Sequence, residues 1–407
     1  MKNRVVRLRD VASLNISNRR QNEKKIAYLD TGNIIENRVI KIQYFDYLDN
    51  IPSRAKRKVK EEDTIFSMVR PNQKHFGYIN RSMENLIVST GFSVVTPNKN
   101  KINSRYLFYL LTNNEVINIF QKLAEGCVST YPTLSLRDLL DFEFKLPSLK
   151  EQKRIADILT ALDDKIELNN QMNQTLEEIA SLLYKRWFID FEFPDDKGNP
   201  YKSSGGEMVD SELGMIPKGW EVKKIFEISN VGIGKTPPRN EQGWFSSSKG
   251  VNWFSIKDMG NIKSPYIFHS SERLSKRAID QFNVKIVPKN TVILSFKLTI
   301  GRVAITTMDS VTNEAIAQFQ ILNENVTTEY MYLYFKNLNF MNFGSTSSIA
   351  TAINSQIIKS IPVIVPIGTI NREFSNILIR YFKMMKENSI ESDKLNKIRE
   401  LLLIELI

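Results

Sequence analysis

The sequence predicts an α+β protein: two pseudo-symmetric mixed α/β modules separated by a long antiparallel two-helix coiled coil. Three observations carry this. Short segments recur in the same order in both halves of the 407-residue chain. Each module is followed by a stretch free of Gly and Pro in which apolar residues return every seven positions. Each of those stretches has a single Asn in the middle layer.

The repeat comes first. Asp30-Thr-Gly-Asn-Ile34 reappears as Asp258-Met-Gly-Asn-Ile262, and Asp63-Thr-Ile-Phe-Ser67 as Thr291-Val-Ile-Leu-Ser295, both at an offset of 228. Tyr106–Leu110 matches Tyr330–Tyr334 at 224, and Pro147 matches Pro366 at 219. A falling offset with preserved order indicates a duplicated module with small insertions. Two-fold symmetry is also how proteins match the half-sites of a duplex.

Residues 1–147 form the first module. Thr64–Val69 and Leu86–Thr90 are short β-branched and aromatic runs, read as strands, and Ser104–Phe120 is read as one helix. Residues 220–366 repeat this programme, with strand signals at Thr291–Phe296 and Val303–Thr306. Residues 148–190 hold the central helix, of ~57 Å at about 1.5 Å per residue. Its seam is Ile155, Leu162, Asn169, Leu176 and Leu183, with a second row of Leu159, Ile166, Met172 and Ile179. Residues 367–407 hold the C-terminal helix, with seam Phe374, Tyr381, Asn388, Leu395 and Leu402. The Asn layers align in parallel packing as well, so direction follows from connectivity, which favours antiparallel. That packing is expected to bring layer one against layer five and Asn169 against Asn388, fixing the register. Residues 191–219 are read as a linker, because 194–219 is polar and turn-rich.

A net charge of +11 points to a polyanionic partner. Cys127 is the only cysteine, which excludes a disulfide framework and a thiolate cluster. His75 and His269, one per module, are too few for a histidine-rich metal site or a repeated His-dependent catalytic site. With no signal-like N-terminus and no long apolar run, a cytoplasmic chain without a membrane association is expected. Gly232-Ile-Gly-Lys-Thr236 imitates a phosphate loop, but Ser229 stands where its first Gly belongs and Pro237 and Pro238 follow. No catalytic residue and no cofactor turn is identified, so the chain is expected to recognise rather than react.

The candidate contacts to a polyanion lie in both modules. In the first they are Arg54, Lys56, Arg57, Lys58, Lys60 and Lys74, with Ser129 and Thr130 in the Gly126–Thr133 loop. In the second they are Lys235, Arg239, Arg273, Lys276, Arg277, Lys297 and Arg302, with Ser347 and Ser348 in the Gly344–Thr351 loop. The run Arg273, Lys276, Arg277 and Lys285 is read as the counterpart of the basic cluster at 54–60.

At these residues the chain resembles a known family. Leu146-Pro-Ser-Leu-Lys-Glu-Gln-Lys-Arg-Ile-Ala-Asp-Ile-Leu159, Arg186-Trp-Phe-Ile-Asp-Phe-Glu-Phe193 and Asp210-Ser-Glu-Leu-Gly-Met-Ile-Pro-Lys-Gly-Trp220 resemble the specificity subunits of type I restriction–modification systems. So do Gly234–Arg239, Trp253–Asp258 and Ile286–Thr291, in order and over essentially the full length. One departure is the start of the C-terminal helix, Gly368–Glu373, where the family motif is closer to Glu151-Gln152. The resemblance implies two target recognition domains, each reading half of a split double-stranded DNA sequence. It implies helices that space them by at most ~17 bp at about 3.4 Å per pair. It implies two methyltransferase subunits and restriction subunits as partners, and S-adenosylmethionine, ATP and Mg²⁺ used by those partners and not by this chain. Other readings are a diverged coiled-coil scaffold, an RNA-binding adaptor, or the recognition subunit of a related modification-only system.

Overall fold

The computed structural model describes residues 4–407 except 21–22, 24, 47–48, 82, 127–130, 241–242, 344–353 and 367. The chain divides into two compact units, Met1–Lys165 with Lys394–Ile407, and Ile166–Asp393. Each unit thus combines one module with part of each long helix.

In the first unit, strand Arg4–Arg7 pairs antiparallel with Glu143–Leu146 and runs into the single-turn helix Leu8–Val11. The Asp10 carboxylate accepts the Arg7 backbone N–H at 2.9 Å, tying down a donor that the turn leaves open. One sheet has the strand order Ala12–Leu14, Phe92–Pro97, Thr64–Ser67, Phe76–Tyr78; the other has Gln43–Phe45, Ile26–Leu29, Leu86–Ser89, Ala55–Lys58. The helix read over Ser104–Phe120 is two, Ser104–Thr112 and Asn114–Glu125. Asn113 is extended between them. Its side chain accepts the Glu115 N–H at 2.8 Å and donates to the Leu403 carbonyl at 3.0 Å. A short amide that competes for backbone groups favours a cap over a helix interior.

The second unit repeats this frame. Strand Glu221–Lys224 pairs with Pro362–Val365, and helix Ile225–Ile228 follows. Its larger sheet runs Ser229–Ile233, Ile316–Ile321, Val292–Ser295, Val303–Thr306, Tyr266–Ile267. The Gly-Asn-Ile identity marks one place in both modules, the end of a short helix: Thr31–Asn33 is followed by Ile34, and Ile256–Asn261 by Ile262. The second sheet of each module diverges. Ile26–Leu29 and Val251–Phe254 each have one antiparallel and one parallel neighbour. The first module then adds Ala55–Lys58 beyond the parallel neighbour, whereas the second adds Phe245–Ser246 beyond the antiparallel one.

Residues 194–219, expected as a surface linker, contain the hairpin Met208–Ser211/Gly214–Pro217. Phe193 and Ile216 are buried in the second unit's core with Trp220. Phe193 stacks on Trp220 with ring centroids 5.0 Å apart. Isolated apolar residues among the turn formers hold the segment down.

The long helices are Leu149–Phe188 and Thr369–Leu406. In the second unit they run antiparallel. Trp187 lies 5.4 Å from Phe374 between ring centroids, and Asn169 meets Glu391 and Ser392. The register departs from the expected one. Asn388 donates to Asn173 Oδ1 at 3.0 Å, Asn173 donates to Ser389 Oγ at 3.2 Å, and Asn169 touches Asn388 only at its backbone carbonyl. When one helix reverses, the first row of one faces the second row of the other, so like layers do not meet. The second row also corrects: Asn173 and Ala180 are buried, whereas Ile179, at the position read from sequence, is exposed. Ile155 and Phe374 are fully buried; Leu162, Leu176, Leu183, Tyr381, Asn388, Leu395 and Leu402 are half-buried.

The module ends bed into the helices through buried amides. Gln152 accepts the Asn103 N–H at 2.8 Å and donates to the Pro147 carbonyl at 2.9 Å. Asn371, at the matching place in the C-terminal helix, donates to the Asn325 carbonyl. The departure at Gly368–Glu373 therefore keeps a buried amide on a shorter stem.

The register makes a prediction. Asn173→Ala and Asn388→Ala are expected to couple by about 0.5–1.5 kcal/mol, the scale of one hydrogen bond. Asn169→Ala and Asn388→Ala should be nearly additive, since the Asn388 carbonyl survives the substitution. Denaturant unfolding of the single and double variants measures both, and a larger coupling for the second pair refutes this register.

Candidate nucleic-acid interface

One turn between paired strands in each module presents exposed side chains. In the first module the turn between Thr64–Ser67 and Phe76–Tyr78 is closed by Ser67, whose Oγ donates to the Val69 carbonyl at 3.0 Å. Arg70 and Lys74 adopt left-handed backbone, with φ of +47° and +56°. Arg70 lies over the Tyr131 ring, 5.0 Å from its centroid, and Asn72 and Gln73 are exposed. Lys74 is paired to Glu36 at 2.9 Å.

The second module uses the equivalent serine in the equivalent turn, between Val292–Ser295 and Val303–Thr306. Ser295 Oγ donates to the Thr299 carbonyl at 2.6 Å and accepts the Arg302 N–H at 3.0 Å. The tip carries exposed Lys297 and Leu298. Arg302 turns inward and donates to the Ile256 carbonyl at 2.6 Å, supporting the helix Ile256–Asn261. It is a framework residue here.

The basic cluster of the first module lies on and beside the strand Ala55–Lys58. Arg54, Lys56 and Lys60 are exposed. Lys58 pairs with Glu23, and Arg57 is half-buried, where desolvation lowers its pKa. The segment Ser17–Arg19 runs along this strand: Arg19 N–H donates to the Lys56 carbonyl at 2.6 Å, and Lys58 N–H to the Ser17 carbonyl at 3.1 Å.

The second module has no counterpart to this strand among the described residues, which corrects the expected recurrence. Arg273 sits on Glu272–Leu274 opposite Asn252, the register position that Tyr44 holds opposite Ala27. Lys276 and Arg277 are exposed on the helix Lys276–Gln281, with Arg277 5.4 Å from the Trp244 ring centroid. Arg239 makes a two-pronged pair with Glu272, at 2.9 and 2.7 Å, with its guanidinium 4.5 and 5.2 Å from the ring centroids of Phe245 and Trp253. Those hydrogen bonds hold the Glu272 carboxyl below its ordinary range. A cation neutralised this way is a weaker phosphate ligand than a free one. Ser129, Thr130, Ser347 and Ser348 lie outside the described residues.

Lys235 donates to the Phe282 carbonyl at 2.7 Å. A Cβ on Gly234 would collide with the Asn313 and Thr312 backbone. The glycine serves close packing of two chain segments, not a phosphate. His75 Nδ1 bonds the Ile34 carbonyl at 2.6 Å, and His269 Nε2 the Asp393 carboxylate at 3.1 Å. Among the described residues no cluster of His, Cys, Asp or Glu could hold a metal, and no helix is long and apolar enough to cross a membrane. Sequence reasoning did not single out Arg70, because left-handed backbone at a non-glycine residue leaves no mark in composition. The contrast between Pro71–Phe76 and Lys297–Ile300 is legible in the sequence.

The family model described as type I restriction modification DNA specificity domain matches residues 2–178 and again 217–400. The chain is 27% identical over 434 aligned residues to the type I restriction enzyme HindI specificity subunit of Haemophilus influenzae, covering 94% of this chain and 93% of the relative. It is 28% identical over 338 residues to the MjaIX specificity subunit of Methanocaldococcus jannaschii, covering 81% and 74%. The crystal structure of a type I restriction–modification system S subunit from M. genitalium shares the fold with a TM-score of 0.56 at 13% identity, over 99% of this chain and 96% of that one.

The packing at Gly234 is directly testable. Gly234→Ala is expected to destabilise the protein by about 1–3 kcal/mol, as overpacking does. Lys235→Ala should cost less than about 1 kcal/mol, the scale of one exposed hydrogen bond. Thermal unfolding compares them, and a Gly234→Ala protein as stable as the wild type would show that the turn has room.

Proposed function

The chain belongs to the type I restriction modification DNA specificity family, and we propose on that basis that it reads a bipartite, asymmetric double-stranded DNA target, one half-site per module. The observation that carries this is the double match of one family model to two modules whose frames agree and whose exposed loops differ. A common frame with unlike loops reads unlike sequences.

In this reading the chain does no chemistry. It directs two methyltransferase subunits and the restriction subunits to the site, in the cytoplasm. S-adenosylmethionine, ATP and Mg²⁺ serve those partners. The candidate contacts divide by what already holds them. Arg54, Lys56, Lys60, Lys276, Arg277 and Lys297 are exposed and suit phosphates. The exposed Asn72 and Gln73 have the amide geometry that reads adenine edges.

Mapping methylated bases in DNA modified by the assembled enzyme tests the reading. Exchanging residues 1–147 for another member's first module should change one half of the mapped target and preserve the other. A swap that alters both halves, or neither, refutes independent reading.

The cation assignment has its own measurement. Replacing Arg54 and Lys56 by Ala should make the slope of log K against log salt shallower by about 0.9 × 2, one released counterion each. Lys58→Ala should change it less, since Glu23 already neutralises that ammonium. An unchanged slope in the double variant would return the exposed cations to plain surface residues.

A further inference from the structure

Leu298 is the most exposed large apolar residue of the described chain, at 96%. A lone surface leucine is ordinary. Its backbone is not: φ is +62°, a left-handed conformation that a Cβ disfavours. The loop that imposes it is firmly built. Ser295 Oγ bridges the Thr299 carbonyl and the Arg302 N–H. Thr299 N–H closes on the Lys297 carbonyl at 2.8 Å, and Gly301 N–H on the Ser295 carbonyl at 3.0 Å. Gly301, at φ +91°, lies against the Phe340 ring. The fold thus spends strain to hold an apolar side chain in water. Backbone strain of this kind gathers where a loop meets a ligand.

The neighbours indicate which ligand. Exposed Lys297 adjoins Leu298 in a chain of net charge +11. The equivalent loop of the first module also uses left-handed residues, Arg70 and Lys74, but presents Asn72 and Gln73. Matching turns thus carry polar groups in one module and an aliphatic tip in the other. An aliphatic tip next to a cation matches one mode of duplex binding, in which the cation holds a phosphate while the side chain enters between base pairs and partly unstacks them.

We propose that Leu298 is such a wedge, inserted at one base step of the half-site that the second module reads. The proposal rests on the DNA-reading function above. Unstacking costs least at flexible pyrimidine–purine steps, so the wedge adds a preference for such a step without hydrogen bonds to the bases.

The test uses the full chain assembled with its methyltransferase subunits, and duplexes carrying the mapped target with 2-aminopurine at successive positions of the second half-site. Wild type should raise the fluorescence at one step. Leu298→Ala should abolish that rise and weaken target binding about tenfold, the scale of one lost specific contact. Leu298→Met should retain both. Binding to random duplex and the salt slope should stay unchanged, since the leucine meets no phosphate. Leu298→Gly relieves the backbone strain, so it should raise the unfolding temperature while losing target affinity; this separates binding from folding. Wild-type preference for the target with unaltered fluorescence and affinity in Leu298→Ala overturns the wedge alone. Wild type binding target and random duplex equally overturns the DNA-reading function, and the wedge with it.

Discussion

Each module depends on a helix surface that it does not itself encode. The first unit's core takes Ile155, Ala156 and Leu159 from the start of the central helix and packs against Leu402, Leu403, Leu406 and Ile407 from the end of the C-terminal helix. The second unit's core takes Ala180, Tyr184, Trp187 and Phe188 from the end of the first helix and Phe374, Leu378, Phe382 and Met385 from the start of the second. A two-helix seam is narrow and buries little alone. Within each unit the helix ends belong to the module's own core, so helix direction there is set by what each end must bury.

The polar residues in that seam act as a filter on alignment. Asn169, Asn173 and Ser392 are almost fully buried; Asn169 donates to Ser392, and Asn173 pairs with Ser389 and Asn388. Moving one helix along the other would set amides beside aliphatic neighbours at about 1–3 kcal/mol each. Gln152 and Asn371 act similarly at the helix heads, each tying its own module to the helix it starts.

Much of this was legible in the sequence. The duplication, both long helices and the strands around Ser67 and Ser295 follow from order and period. The pairing of Asn388 with Asn173 did not, because heptad arithmetic on one helix says nothing of which row a reversed partner offers. Asn113 splits a helix whose apolar spacing runs straight through it, since a cap is decided by one side chain's hydrogen bonds. The basic clusters looked alike as composition and lie on unrelated elements, the first along the strand Ala55–Lys58 and the second across the strand Glu272–Leu274 and the helix Lys276–Gln281. Composition also hid that Arg239 and Arg302 are committed to Glu272 and Ile256, whereas Arg54 and Lys56 are free to solvent.

The strand Ala55–Lys58 closes its sheet on a side where a β-sheet ordinarily invites another chain to add itself. Ser17 and Arg19 take up the hydrogen-bonding groups of Lys56 and Lys58 along that margin, and Asn18 bridges Arg57. Strand addition by a neighbouring molecule is therefore blocked by the chain's own backbone. A basic protein gains colloidal safety from this: that margin is sealed by its own backbone, and what it offers outward there is the side-chain charge of Arg54 and Lys56, which repels its own kind.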